Sequence, residues 1–399
     1  MTTTTTTIPP ALARRRTYAG PALFSYGFRP FFLGGALWAA IGIPLWIYLY
    51  IGAISLPTAM APLDWHVHEM LYGYVPAIVT GFLLTAIPNW TGRLPVNGWP
   101  LAGLAVLWLA GRLAVFFSAS IGPWLAAAID LSFLAVVAGV AMREIICGEN
   151  WRNLRVLGVV SVLVAGNAVF HFEAIEQGAA NYGTRIGLGA VVLLIVLVGG
   201  RIIPSFTNNW LNRHNPGRLP RPFSRYDAVC LVAAAATLLA WIVTPEWTIT
   251  GLLMLATGVL QAGRLARWAG DRTLKDRLVL ILHVGYAFVP LGFLLVGASI
   301  LWPAEVPGNS GIHAWAAGAI GAMTLAVMTR ASRGHTGQPL EASAGTQAIY
   351  ALVVVAALAR IVSPWGFTME LLYFAAACWV AAFAGFGLAY GPSLLRARR

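Results

Sequence analysis

Seven histidines stand in this chain of 399 residues, and five of them, His66, His68, His171, His283 and His313, lie inside long apolar runs. An ionisable side chain at bilayer depth costs about 2.5–3.5 kcal/mol or more unless it is paired, so each is a candidate for chemistry. His66, His68, His171 and His313 all fall within about one helical turn, roughly 5 Å, of the same side of the apolar runs, close enough in depth to meet. Imidazole suits copper, iron and zinc, whereas magnesium or calcium would call for a cage of oxygens that the few intramembrane carboxylates do not provide. The chemistry indicated is a copper or haem-iron centre. The segment WHVHEM adds Glu69, a carboxylate able to orient an imidazole, and Met70, a soft ligand suited to copper. Geometry opposes a single site: residues two apart on a helix point to nearly opposite faces, so His66 and His68 share a metal only if the helix start is unwound. Histidines merely hydrated among the headgroups are the plain alternative.

His283 lies about 8 Å in from the other side and is a candidate for a second site; its nearest candidate partner by topology is His335 in the loop SRGHTG, where the plain alternative is a solvated histidine. His214, in NNWLNRHNPGR, reads as a solvated loop residue. Arg112 and Arg360 fall one to two turns from the histidine-rich side, and a guanidinium fork suits carboxylates, including haem propionates. The competing reading pairs them with Asp64, Glu173, Glu176 or Glu370, or lets them snorkel to the interface. Asp130 is a further carboxylate in an apolar run, without an evident role. Cys147, Cys230 and Cys378 are far apart and form no CxxC, so they read as packing thiols.

These residues are positioned by helices. Only 10% of the chain is charged and 59% is hydrophobic, whereas a soluble domain carries about a quarter charged residues. The apolar runs have the roughly twenty residues that an α-helix needs to cross hydrocarbon, and they lack the alternation of a membrane β-barrel. They fall near residues 28–51, 66–87, 99–117, 121–146, 154–174, 184–203, 227–244, 247–265, 278–301, 311–330, 344–362 and 366–390. The fold class is therefore all-α integral membrane: a cytoplasmic tail over 1–27, one twelve-helix domain over 28–391 and a basic cytoplasmic tail over 392–399. Both termini are placed in the cytoplasm because the basic residues, from Arg14–Arg16 to the Arg396–Arg399 tail, gather on one side, with only Arg112, Arg185 and Arg360 toward the other. The net charge of +12 is thus an orientation signal and not a nucleic-acid footprint. No signal peptide, Walker motif or Ser/His/Asp arrangement is present, and the tryptophans read as interfacial belts. A weak echo every four helices, in TGFLLTAIPNWTGRLP, VGGRIIPSFTNNWLN and AVMTRASRGHTGQP, is consistent with three four-helix repeats.

The segments GFRPFFL, WHVHEMLYGY, GFLLTAIPNWTG, LAGR, GNAVFH, GGRIIPSFTNN, LHVGYAF and HAWAAGAIGAMTLAVMTRASRGHTG follow one another along nearly the whole chain. Together they resemble the NnrS family of bacterial membrane proteins. The resemblance implies a multi-pass protein of the inner membrane that contains haem and copper and serves the response to nitric oxide and denitrification. It also implies that His66, His68, His171, His283, His313 and His335 stand on the family's histidine positions, without dividing them between haem and copper. It does not fix whether nitric oxide is bound, sensed, transported or turned over, and it names no electron donor. The alternative from another class is a twelve-helix secondary transporter with structural or proton-coupling histidines. Its support is thinner, since the loop PNWTGRLPVNG lacks the acidic and basic run of major facilitator carriers.

Overall fold

The computed structural model describes residues 18–397. The Arg14–Arg16 cluster and the final Arg398 and Arg399 of the basic tail lie outside the described residues. Among the described residues twelve helices are long and apolar enough to span a membrane. They are α1 (Phe28–Tyr50), α2 (Pro62–Thr91), α3 (Trp99–Phe116), α4 (Pro123–Cys147), α5 (Trp151–Glu176), α6 (Tyr182–His214), α7 (Arg225–Val243), α8 (Thr248–Arg272), α9 (Arg277–Leu301), α10 (Gly308–Thr336), α11 (Ala344–Trp365) and α12 (Thr368–Leu395).

Three ends differ from expectation, each because a helix is not obliged to stop where hydrocarbon does. α2 begins at Pro62, a residue pre-organised for the first helical turn, so His66 sits a full turn inside the helix. α6 runs to His214, which makes NNWLNRH helical; at 33 residues it is about 50 Å long and outreaches the bilayer core. His335 is likewise helical, in the last turn of α10 before Gly337 closes it with a left-handed φ of 82°.

The helices sort by burial. The most apolar stretch of α2 is 83% buried and those of α9 and α10 are 67% buried, against 33–50% for the other nine, so these three form the centre. α2, α6 and α10 touch one another there, while α4 meets α5, α8 meets α9 and α12 returns to α1. In hydrocarbon apolar contact alone gives helices little reason to associate, so close packing and interhelical hydrogen bonds matter most. Tryptophan supplies several: Trp108 donates to the Gly73 carbonyl at 2.9 Å, Trp315 to Val289 at 3.0 Å and Trp379 to Ala39 at 3.0 Å, tying α3 to α2, α10 to α9 and α12 to α1. At the opposite end of the α1–α12 pair, Arg29 donates to the carbonyls of Leu394 at 2.8 Å and Arg396 at 2.7 Å, occupying acceptors that the end of α12 leaves free.

Candidate metal centre

α2 carries two histidines and a change of helix type. From Pro62 to His68 it is α-helical, and from Glu69 to Tyr74 it widens into a π-helical turn. α10 does the same, α-helical through His313 and π-helical over Ala314–Ile320. Such turns are uncommon and tend to sit at functional sites. The helix is continuous through WHVHEM, so His66 and His68 diverge as their spacing dictates: His68 faces α4 and α5, whereas His66 faces α1, α10, α11 and α12. A single metal shared by the pair is ruled out by this divergence.

On the first side a charged network is sealed inside the bundle. His68 Nε2 lies 3.2 Å from His171 Nε2 and 3.2 Å from Asp130 Oδ2, and His171 Nε2 lies 3.0 Å from the same oxygen. These three donor atoms are mutually within 4.8 Å on residues that are all buried. Neighbouring ligands of an ion bound at about 2.0–2.1 Å stand roughly 3.0–3.4 Å apart, so the triangle has the edges of a coordination polyhedron. His68 Nδ1 is 3.1 Å from Glu69 Oε1; in the tautomer that donates to this carboxylate, Nε2 keeps its lone pair for the centre. The Asn167 oxygen also approaches His68 Nε2, at 3.2 Å, while its amide donates to Asp130 Oδ2 at 2.8 Å. Lone pairs thus converge on one place, as a cation requires.

Arg112 balances the carboxylates. It donates to Glu69 Oε1 at 2.7 Å and to Asp130 Oδ1, with all three side chains almost fully buried. A guanidinium so engaged is not free for propionates, and its partners are not among the four carboxylates expected from sequence. Two carboxylates against one guanidinium still leave a negative charge, which a metal cation or a protonated imidazole offsets. Arg112 reaches across α2 only because residue 73 is glycine: a Cβ there would collide with the guanidinium. Beside the network, a 90 Å³ cavity has His171, Met60 and Ser118 on its wall.

The second side is apolar. His66 stacks on Trp46 with centroids 4.0 Å apart, and together with His313, Met70 and Arg360 it lines a 100 Å³ cavity walled by Ile43, Leu372 and Trp379. His313 Nδ1 donates to the Asn309 carbonyl at 2.7 Å, which leaves Nε2 as the lone-pair atom. The Nδ1 of His66 and the indole nitrogen of Trp46 are buried without a hydrogen-bond partner among the described residues. Among the described residues Arg360 donates only to Ser363, at 2.7 Å.

The remaining histidines do not join either group. His283 Nε2 lies 2.8 Å from Thr207 Oγ1, near the other end of the bundle. His335 packs its ring against Tyr26 and Phe28, at 5.2 and 5.5 Å, so His283 and His335 have separate surroundings. His214 stacks on Trp210 at 5.5 Å.

Twelve apolar helices around a sealed histidine and aspartate group define a multi-pass helical membrane protein with a buried place able to hold a metal ion. The chain belongs to the NnrS protein family, whose model matches residues 22–398. Among curated proteins none matches the chain.

Proposed function

We propose that this protein binds or reacts with nitric oxide at a metal held by His68, His171 and Asp130, in the inner membrane of a bacterium and as part of the response to nitrosative stress. The observation that carries the reading is the convergence of three buried ligand atoms on one point, backed by Glu69 and Arg112. Copper is the metal that family membership suggests, and two imidazoles accept it; the added carboxylate also suits iron. A redox metal there would supply an open coordination position for nitric oxide, a small apolar molecule that enters from the bilayer. The protein's own residues do the rest: Glu69 fixes the His68 tautomer, Arg112 holds Asp130 in place, and the surrounding helices exclude water.

Copper also fits the second chamber, where Met70 joins His66 and His313 as a soft donor. Haem is the other cofactor that the resemblance implies, and two of the described cavities fit it poorly. The histidine-lined chamber of 100 Å³ is well below the roughly 300 Å³ at which pockets for organic ligands begin. The 760 Å³ cleft between α5, α6, α7 and α8 has room but no His, Cys, Met or Tyr on its wall to serve as an axial ligand.

Cytoplasmic termini follow from the clustering of arginine on one side, and three four-helix repeats gain support from the recurring contacts of α4 with α5, α8 with α9 and α12 with α1. The carrier alternative rests on helix number and on both termini lying on the same side. The test is metal analysis and absorption spectroscopy of the purified protein, reduced and reduced with nitric oxide. Near-stoichiometric copper or iron with a nitric oxide-dependent spectrum, both lost in His68→Ala, is expected. A metal-free wild-type protein after supplemented expression would remove the reading.

A further inference from the structure

At the end of the bundle remote from both histidine chambers, the cleft between α5, α6, α7 and α8 has a volume of 760 Å³. Its lining divides into a cationic rim and an apolar wall. Arg152 and Arg155 come from the first turns of α5, Arg201 from α6 and Arg221 from the segment that leads into α7; all four are exposed. Arg264, 1% exposed, forms the floor, where it passes so close to Gly200 that a Cβ would collide with it.

Asp227 is the only carboxylate that the described lining contains, and its charge is already committed. It pairs with Arg264 at 3.2 Å and Arg267 at 3.5 Å and accepts from the Ser224 backbone at 2.9 Å, as the cap of α7. Arg201 has a neutral partner, the Asn153 side-chain oxygen at 3.0 Å. For Arg152, Arg155 and Arg221 no side-chain hydrogen bond or ion pair exists among the described residues. Several guanidinium groups thus face one space with no anion of the protein's own to meet them.

The apolar wall says what kind of anion fits. Leu231 lies six residues, about 9 Å, inside α7, and Leu197 lies about 16 Å up α6 from Asn208 at the mouth, so the cleft runs from the interface into hydrocarbon depth. A free phosphate would leave that wall uncovered. We propose that the cleft holds an acidic glycerophospholipid, with its phosphate among Arg155, Arg201 and Arg221 and an acyl chain along Val156, Leu197 and Leu231. Basic pockets between helices on the cytoplasmic side recognise lipid headgroups through this combination of charge and depth, and guanidinium binds phosphate through paired N–H groups.

The test is thermal unfolding of the detergent-purified full chain, titrated with phosphatidylglycerol, with phosphatidylcholine, or with inorganic pyrophosphate. A ligand specific to the folded state raises the midpoint, here by about 3 °C or more for phosphatidylglycerol alone. Arg155→Gln with Arg221→Gln should lose most of that rise with little change in the lipid-free midpoint, because both side chains are exposed, and the Lys pair should retain it. Equal rises with both lipids, or a full rise in the Gln pair, would overturn the assignment. A full rise with pyrophosphate would overturn the lipid and assign the arginines to a soluble phosphate compound. Should the Gln pair not fold, native mass spectrometry of the wild-type chain decides: phosphatidylglycerol retained over an equal amount of phosphatidylcholine supports the cleft, and equal retention removes it.

Discussion

His66 and His68 leave the same helix two residues apart and enter opposite environments. On the His68 side, ionisable groups are buried together and pair with one another: Arg112 with Glu69 and Asp130, and Asp130 with both imidazoles. On the His66 side, the imidazole stacks on Trp46, and Arg360 lines the cavity with a serine as its hydrogen-bond partner. One α2 backbone therefore serves as the partition between a charged chamber and an apolar one. Burying charge requires partners in fixed positions, and so makes the first chamber rigid and sensitive to any single deletion. The second chamber encloses 100 Å³ between mostly apolar walls, a space that suits a small ligand better than it suits stability.

The widest test of this contrast is a pair of arginine substitutions. Arg112→Met leaves Glu69 and Asp130 buried without their cation and should cost about 3–5 kcal/mol, read as a large drop in thermal midpoint. Arg360→Met should cost less than about 1 kcal/mol, since it breaks only the bond to Ser363. Comparable losses would dissolve the distinction between the chambers.

The histidines give the next contrast. His68→Ala should abolish metal in the charged chamber, whereas His66→Ala should leave that metal in place and affect only the apolar side; inductively coupled plasma analysis alongside the reduced spectrum reads both. If the His66 variant lost as much metal as the His68 variant, the two chambers would be one site. A smaller effect is expected from Gly73→Ala, whose methyl must displace Arg112 and should destabilise by about 1–3 kcal/mol. Smallest in stability is Met70→Leu, a volume-conserving change that should cost less than about 1.5 kcal/mol while lowering Cu(I) retention, measured by competition with a Cu(I) chelator.

The spans could be read from the chain because hydrocarbon imposes their length, and His66 and His68 could be separated because helical geometry fixes 200° between them. What composition does not encode is which helix lies beside which. Asp130 reads as idle in an apolar run because the sequence does not say that α4 faces His68 and His171, and the partners of Arg112 depend on α3 lying beside both α2 and α4. A signal was nonetheless present: Asn167 and His171 are one turn apart in GNAVFH, and that segment also resembles the family. His214 and His335 were misplaced into loops because polar residues end a hydrophobic run without ending a helix.

The bonds from Arg29 to the last carbonyls of α12 carry a topological consequence. The start of the first helix and the finish of the last are neighbours, so the path of the described chain returns to where it begins. With an even number of crossings, every segment that joins an even helix to an odd one lies on the same side as that meeting of the ends. A circularly permuted chain, joined there and reopened within residues 337–343 between α10 and α11, would thread each helix in its original direction.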